Sequence, residues 1–334
     1  VNHVASISKT ISKALGLNES LAEAIALGHD LGHSPFGHHG ERIIEKIMDK
    51  EGFQKKFWHE KNSLRFIDYI ETLPNYSGFK ENLDLTYAVR DGIVCHCGEV
   101  NENCIKPRED FIDLETIEKG KQMPFTYEGC VVKISDKIAY LGRDIEDAYN
   151  YKFFDKEDMM TLKQIAQEMM KQKIKFKDVN TSSLIHEFIT NLCMNSTPEL
   201  GLTFSSEYYD MMNKIKSFNY QKIYSNKRFK PFMKYATLVI NAIYDFLMDY
   251  YDSFNTIHKL SKYSKFYPTV TIDFSDWLIK YSNIDEKAHK IRKYRNKIIY
   301  DITNIVDYKQ AIIDYISGMS DNYAIKIYSE LIEF

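Results

Sequence analysis

Residues His29 to Glu41 read HDLGHSPFGHHGE, and the rest of the chain is best read outward from this stretch. It opens with an adjacent imidazole–carboxylate pair, His29-Asp30, and runs on through His33, His38, His39 and Glu41. Four of the chain's ten histidines are gathered here, beside three glycines and a proline. Glycine permits tight backbone geometry and proline stops a helix, so the segment can turn several imidazoles toward one point. Imidazole nitrogen with carboxylate oxygen suits a divalent transition metal. A further His and Glu nearby suit proton transfer to or from bound water.

On the N-terminal side, Val4, Ile7, Ile11, Ala14 and Leu15 recur at helical spacing. Gly16 ends that helix, and Asn18 or Ser20 caps the next, where Ser20-x-x-Glu23 has capping-box form. Leu21, Ala24, Ile25 and Leu27 carry this second helix straight to His29 and Asp30, so the metal candidates sit at a helix C-terminal end. On the other side, Glu41 to Met48 starts a helix with Ile43, Ile44 and Ile47 apolar, and HEKNSLRFIDYIE from His59 is again helical. Residues Tyr76 to Asn82 read as a loop, and Leu85 to Cys95 and Val131 to Tyr149 as two more helices. From Lys156 onward the chain is helical, Lys-rich and aromatic-rich. Phe266 to Asp273 (FYPTVTID) alone has strand character, because Thr and Val alternate.

The totals agree with an all-α fold. Only 14 Gly and 7 Pro in 334 residues argue against a loop-rich or sheet-rich protein, and 44% hydrophobic with 27% charged residues fits a folded chain. The 24 Tyr and 20 Phe point to an aromatic core. A net charge of −3 gives no overall pull toward nucleic acid. The longest apolar candidate, Tyr235 to Tyr251, contains Asn241, Asp245 and Asp249 and reads as a core helix, so no membrane partner is expected. Five cysteines, Cys95, Cys97, Cys104, Cys130 and Cys193, are an odd number in a chain too large to need staples, which points to a reducing, cytoplasmic setting. The Cys95-His96-Cys97 step with Cys104 fits zinc spacings poorly, so these read as ordinary thiols.

A second clue to chemistry is GCVVKISDKIAYLGRDIEDA, Gly129 to Ala148. Asp136 lies among Val131, Val132, Ile134, Ile138 and Ala139, and a carboxylate on so apolar a helix needs a partner when buried; a metal ion is a good one. Tyr140 and Asp144 follow at i+4 and i+8, on the same helical face. With this second segment the chain resembles the HD-domain superfamily, whose pattern is H…HD…D around a divalent metal. More closely, it resembles the deoxyguanosine-triphosphate triphosphohydrolase-like branch, whose signature HDLGHSPFGHHGE nearly matches. ALGLNESLAEAIALGHD, HEKNSL, LDLTYAVRDGI, YEGCVVKISDKIAY and the closing DYISGMSDNYA are similar to family segments as well.

The resemblance implies an all-α HD-domain helical bundle over residues 1–155, extended by further C-terminal helices over 156–334. It implies cleavage of a deoxynucleoside triphosphate, dGTP-like, to deoxynucleoside and tripolyphosphate by water attack at the α-phosphorus. Carried over by position, His29, Asp30 and Asp136 would be metal ligands, for Mn, Mg, Fe, Ni or Zn. His38 and Glu41 would be the catalytic pair. His33 and His59 would line the triphosphate site, and Tyr140 and Asp144 would face the deoxyribose. A homo-oligomer is implied too. The family's first metal-binding histidine would fall immediately before Val1: either that ligand is absent from this sequence, the favoured reading, or His3, three residues along and about 60° around the helix, replaces it.

Plainer readings remain beside these. Only one of His38 and His39 can point inward, and spacing favours His38. His96, His186, His258 and His289 stand alone and read as surface or core residues. Arg143 reads as an ion-pair partner of Glu146 or Asp147. The basic run from Lys287 to Lys297, read as helical, and that from Lys222 to Lys234 are solvated faces, or sites for an effector dNTP or single-stranded nucleic acid. Two rival functions stay open: an HD phosphohydrolase acting on a nucleoside monophosphate, cyclic dinucleotide or alarmone, and a catalytically silent HD protein that binds nucleotide or nucleic acid.

Overall fold

A computed structural model describes residues 1–96, 103–171 and 181–333. Among them, fifteen α-helices carry the chain: α1 (Asn2–Leu15), α2 (Glu19–Gly28), α3 (Gly37–Lys50), α4 (His59–Arg65), α5 (Tyr87–Cys95), α6 (Tyr127–Asn150), α7 (Lys156–Lys171), α8 (Thr181–Asn195), α9 (Ser206–Asn219), α10 (Phe229–Asp249), α11 (Thr256–Tyr263), α12 (Pro268–Tyr281), α13 (Glu286–Ile291), α14 (Ile305–Ser317) and α15 (Asp321–Ile332). The expected all-α class holds. No helix among the described residues is long and apolar enough to cross a membrane. The expected division near residue 155 followed sequence character; the compact units are instead interleaved. One comprises Val1–Asp30 and Thr86–Phe229, the other Leu31–Leu85 and Lys230–Phe334.

In the first unit, Gly16 takes the left-handed conformation (φ 70°) that closes α1, and the Leu17 N–H bonds back to the Ser12 carbonyl at 2.8 Å. Of the two expected caps it is Asn18 that starts α2, accepting from the Leu21 N–H at 3.1 Å. Thr126 caps α6 in the same way, through the Gly129 N–H. The long α6 packs against α1, α2, α5 and α8, burying Cys130, Val131, Val132, Ile138 and Leu141. A two-stranded antiparallel ladder joins β3 (Cys104–Ile105) to β4 (Leu202–Thr203).

The second unit has a core of Ile43, Ile44 and Ile47 from α3, Val239, Ile240 and Ile243 from α10, and aromatic residues from α12 and α14. Phe266 to Asp273 corrects the expectation of a strand. Pro268 opens α12 at its first turn, where a missing N–H costs nothing, and Val270, Phe274 and Leu278 are fully buried at four-residue spacing. Burial of that helical stripe overrides the local β preference. Residues 76–82 are also more ordered than a loop. Asn75 accepts from the Ser77 and Phe79 N–H groups, Gly78 turns at φ 76°, and β1 (Thr72–Pro74) pairs with β2 (Lys80–Asn82), Leu73 facing Glu81. Three-residue strands without apolar alternation leave no period to read. The HEKNSLRFIDYIE helix changes at Phe66–Ile70 into a single π-helical segment.

Candidate functional site

In the first unit, the functional side chains meet where α2 and α5 end. A Cβ on Gly28 would lie 2.5 Å from Ile93 Cδ1, so α2 and α5 approach closely here and a larger residue would push the Ile93 side chain aside. One residue past Gly28 is His29, and three past Ile93 is His96. Their rings meet edge to face with centroids 4.9 Å apart. Both are buried, His29 completely. Each ring is fixed alike. His29 Nδ1 donates to the Ala26 carbonyl at 2.6 Å, and His96 Nδ1 donates to the Ile93 carbonyl at 2.7 Å. Committing Nδ1–H to a carbonyl leaves Nε2 as the coordinating atom.

Both Nε2 atoms face carboxylates. His29 Nε2 lies 3.1 Å from Asp30 and 3.7 Å from Asp136, and His96 Nε2 lies 3.8 Å from Asp30. The potential ligand atoms of His29, His96 and Asp136 all fall within 4.8 Å of one another. This imidazole–carboxylate donor set suits a divalent metal. Without one, burial disfavours the His29 imidazolium, but Asp136 and Asp30 outweigh it and push its pKa up to about 10. His3, the possible substitute ligand, is exposed on α1.

Further along α6, Asp144 accepts a hydrogen bond from the phenol of Tyr224, which sequence reasoning did not single out. Burial raises the Asp144 carboxyl above its ordinary value, and the Tyr224 bond opposes that rise. Tyr140 is half-buried on the same helix. Arg143 pairs with Asp147 at 3.2 Å, as its spacing suggested. Cys95 and Cys130 are free and buried, with thiols pushed up to about 12, chiefly by burial; Cys97 lies outside the described residues.

In the second unit, the loop after Asp30 is pinned to α4. Gly32 N–H donates to Ser63 Oγ at 2.8 Å, and Asn62 Nδ2 donates to the Gly32 carbonyl at 2.9 Å. A Cβ at Gly32 would sit 2.1 Å from the Ser63 nitrogen and 2.4 Å from the His59 carbonyl, both backbone atoms. This contact brings His33 and His59 into a parallel stack, centroids 4.0 Å apart. His38 approaches both rings edge-on, at 5.1 and 5.3 Å. Glu41, on α3 and 5% exposed, joins the cluster: its Oε2 is 2.9 Å from His59 Nδ1 and 3.5 Å from His38 Nδ1. Glu60 approaches the same His59 nitrogen at 3.3 Å. Glu41 thus holds His59 more closely than His38, whose side chain is 71% exposed and available to a ligand. The neighbouring His39 turns away, bonding the Met233 carbonyl at 2.8 Å.

The reading of His96 as a lone histidine needs correcting: it closes an apolar helix just as His29 does, and that shared position was the available signal. The basic run at 287–297 is not one helix either. Only Glu286–Ile291 is helical, Lys293 takes φ 55°, and the chain then bonds alongside Lys80. Arg292 pairs with Asp276, Arg295 stacks on Phe79, and in the first unit Lys222 pairs with Asp158.

The HD domain family profile matches residues 2–141. The chain is 30% identical over 328 residues to a deoxyguanosinetriphosphate triphosphohydrolase-like protein of Caldanaerobacter subterraneus, an alignment covering 98% of this chain and 72% of that one. It is 26% identical to a protein of the same description from Rickettsia prowazekii, covering 98% and 80%. For that of Leptospira interrogans the figures are 28%, 98% and 78%.

Proposed function

The chain belongs to the deoxyguanosinetriphosphate triphosphohydrolase-like family of HD-domain phosphohydrolases, and on that premise we propose that it cleaves a deoxynucleoside triphosphate, dGTP-like, into deoxynucleoside and tripolyphosphate. One observation carries the reading. The single stretch His29–Glu41 contributes both to an imidazole–carboxylate donor set and to an imidazole cluster centred on a buried glutamate.

His29, Asp30 and Asp136 hold a divalent metal, with Mn²⁺ or Mg²⁺ the first to try. When bound, such an ion supplies Lewis-acid chemistry, drawing charge from a coordinated phosphate. His38, exposed to a ligand and backed by Glu41, moves a proton between the attacking water and the departing sugar oxygen. A positioned group of this kind contributes ~10²–10⁴-fold. His59 is buried and holds Glu41, so it orients the pair. His33 lines the triphosphate. Tyr140 packs on a sugar lacking a 2′-hydroxyl, and Asp144 accepts from the 3′-hydroxyl. The odd number of cysteines supports a cytoplasmic location, and the family resemblance suggests a homo-oligomer.

The test is product analysis with each dNTP, singly and mixed, plus Mn²⁺ or Mg²⁺. Tripolyphosphate with deoxynucleoside is expected. Pyrophosphate or orthophosphate would instead indicate an HD phosphohydrolase of different specificity. Nucleotide binding without turnover by the metal-loaded protein would indicate a sensor.

A further inference from the structure

We propose that His96 is itself a protein ligand of the metal ion, an inference that rests on the metal reading above. The ring is 3% exposed, which is uncommon for a histidine without a buried role. Its Nδ1 is committed to the carbonyl three residues back, as in His29, so both rings present Nε2. His96 Nε2 faces the Asp30 carboxylate at 3.8 Å. An ion bound at ~2.0–2.2 Å holds its donors roughly 3–4 Å apart. The atoms of His29, His96 and Asp136 lie within 4.8 Å of one another, so modest closure brings all three onto one ion.

The surroundings are built to keep His96 in place. The buried Lys133 donates to the carbonyls of Cys95 and His96 at 3.4 and 3.3 Å, satisfying the end of α5. Lys133 stands one turn before Asp136, so a single helix both anchors His96 and offers the facing carboxylate. From the opposite side, Gly28 sets α5 against the end of α2.

The experiment titrates the full chain with Mn²⁺ and records pulsed EPR of the bound ion in ¹⁵N-histidine-labelled protein. The wild type should resolve at least two coordinated imidazole nitrogens; a single one overturns the proposal and needs no variant. His96→Gln should weaken Mn²⁺ binding by at least ~100-fold, beyond the usual 10–100-fold cost of an outer-shell change, and remove one imidazole coupling. Weaker binding with an unchanged imidazole count would make His96 a positioning residue for Asp30 and overturn the ligand role. Unchanged affinity in His96→Gln, with affinity lost in His29→Gln, would refute His96 while leaving the metal reading intact. A wild type that binds no Mn²⁺, Mg²⁺ or other divalent ion would refute both.

Discussion

Replacing Asp314 by alanine tests how α4, which carries His59, is held in the second unit. The Asp314 carboxylate is fully buried. It accepts from Arg65 Nε at 2.9 Å and Nη2 at 2.7 Å, from the Tyr300 hydroxyl at 2.6 Å and from Gln310 at 2.8 Å. Arg65 closes α4, so the pair ties the far end of the His59 helix to α14. Removing one partner of a buried pair costs ~3–5 kcal/mol, because the other charge is left uncompensated. The Tyr300 hydroxyl, 1% exposed, also loses its acceptor, about 1–3 kcal/mol of that total. The Arg65 side chain keeps 29% of its exposure and can recruit water, which places the expected loss in the lower part of the range, about 3–4 kcal/mol. With a urea m-value of ~3 kcal/mol/M, the midpoint should fall by roughly 1 M. The double variant Arg65→Met with Asp314→Leu should recover much of the loss, since no unpaired charge remains. A midpoint shift below ~0.3 M for Asp314→Ala, or strict additivity of the two single changes, would refute this account of the anchor.

Gly32→Ala drives a methyl into the backbone of α4 and should destabilise the protein by at least ~2 kcal/mol and impair turnover; an unchanged melting temperature would contradict the close approach. His38→Ala should lower kcat by ~10²–10⁴-fold while mass-spectrometric metal content stays constant, and concurrent metal loss would place His38 in another role. Tyr224→Phe removes the donor to Asp144 and should cost ~1–2 kcal/mol at pH 7. Burial raises the Asp144 carboxyl in the folded state, so its charged form is the disfavoured one. The protonated acid therefore persists to pH values above the ordinary carboxyl range, predominates below that range, and needs no donor. The loss should therefore shrink in urea denaturation at pH 3.5, and an equal loss at both pH values would contradict the assignment.

Helices were legible wherever an apolar period ran to a recognisable stop. Val4 to Gly16 and Val131 to Tyr149 show that period, and both form the helices it implies. The segment at Phe266 was not legible, because Thr and Val alternate locally while the helical stripe of Val270, Phe274 and Leu278 takes its meaning from what it packs against. The interleaved units leave no trace in composition, since both are helical and aromatic-rich. For the candidate site, the motif singled out His29, Asp30 and Asp136, and the structure places them together. His96 and Tyr224 were missed for a common reason: each acts through a residue distant in sequence, 67 positions from His29 and 80 from Asp144. No local period encodes such a meeting. The Gly28–Ile93 approach that brings His96 to His29 exists only once the helices pack.

The most direct test of the account is hydrolysis of dGTP by the Mn²⁺-loaded protein in H₂¹⁸O, with both products analysed by mass spectrometry. Water attack at the α-phosphorus predicts intact tripolyphosphate carrying one ¹⁸O and an unlabelled deoxynucleoside. Label in the deoxynucleoside, or release of mono- or pyrophosphate in place of tripolyphosphate, would contradict it.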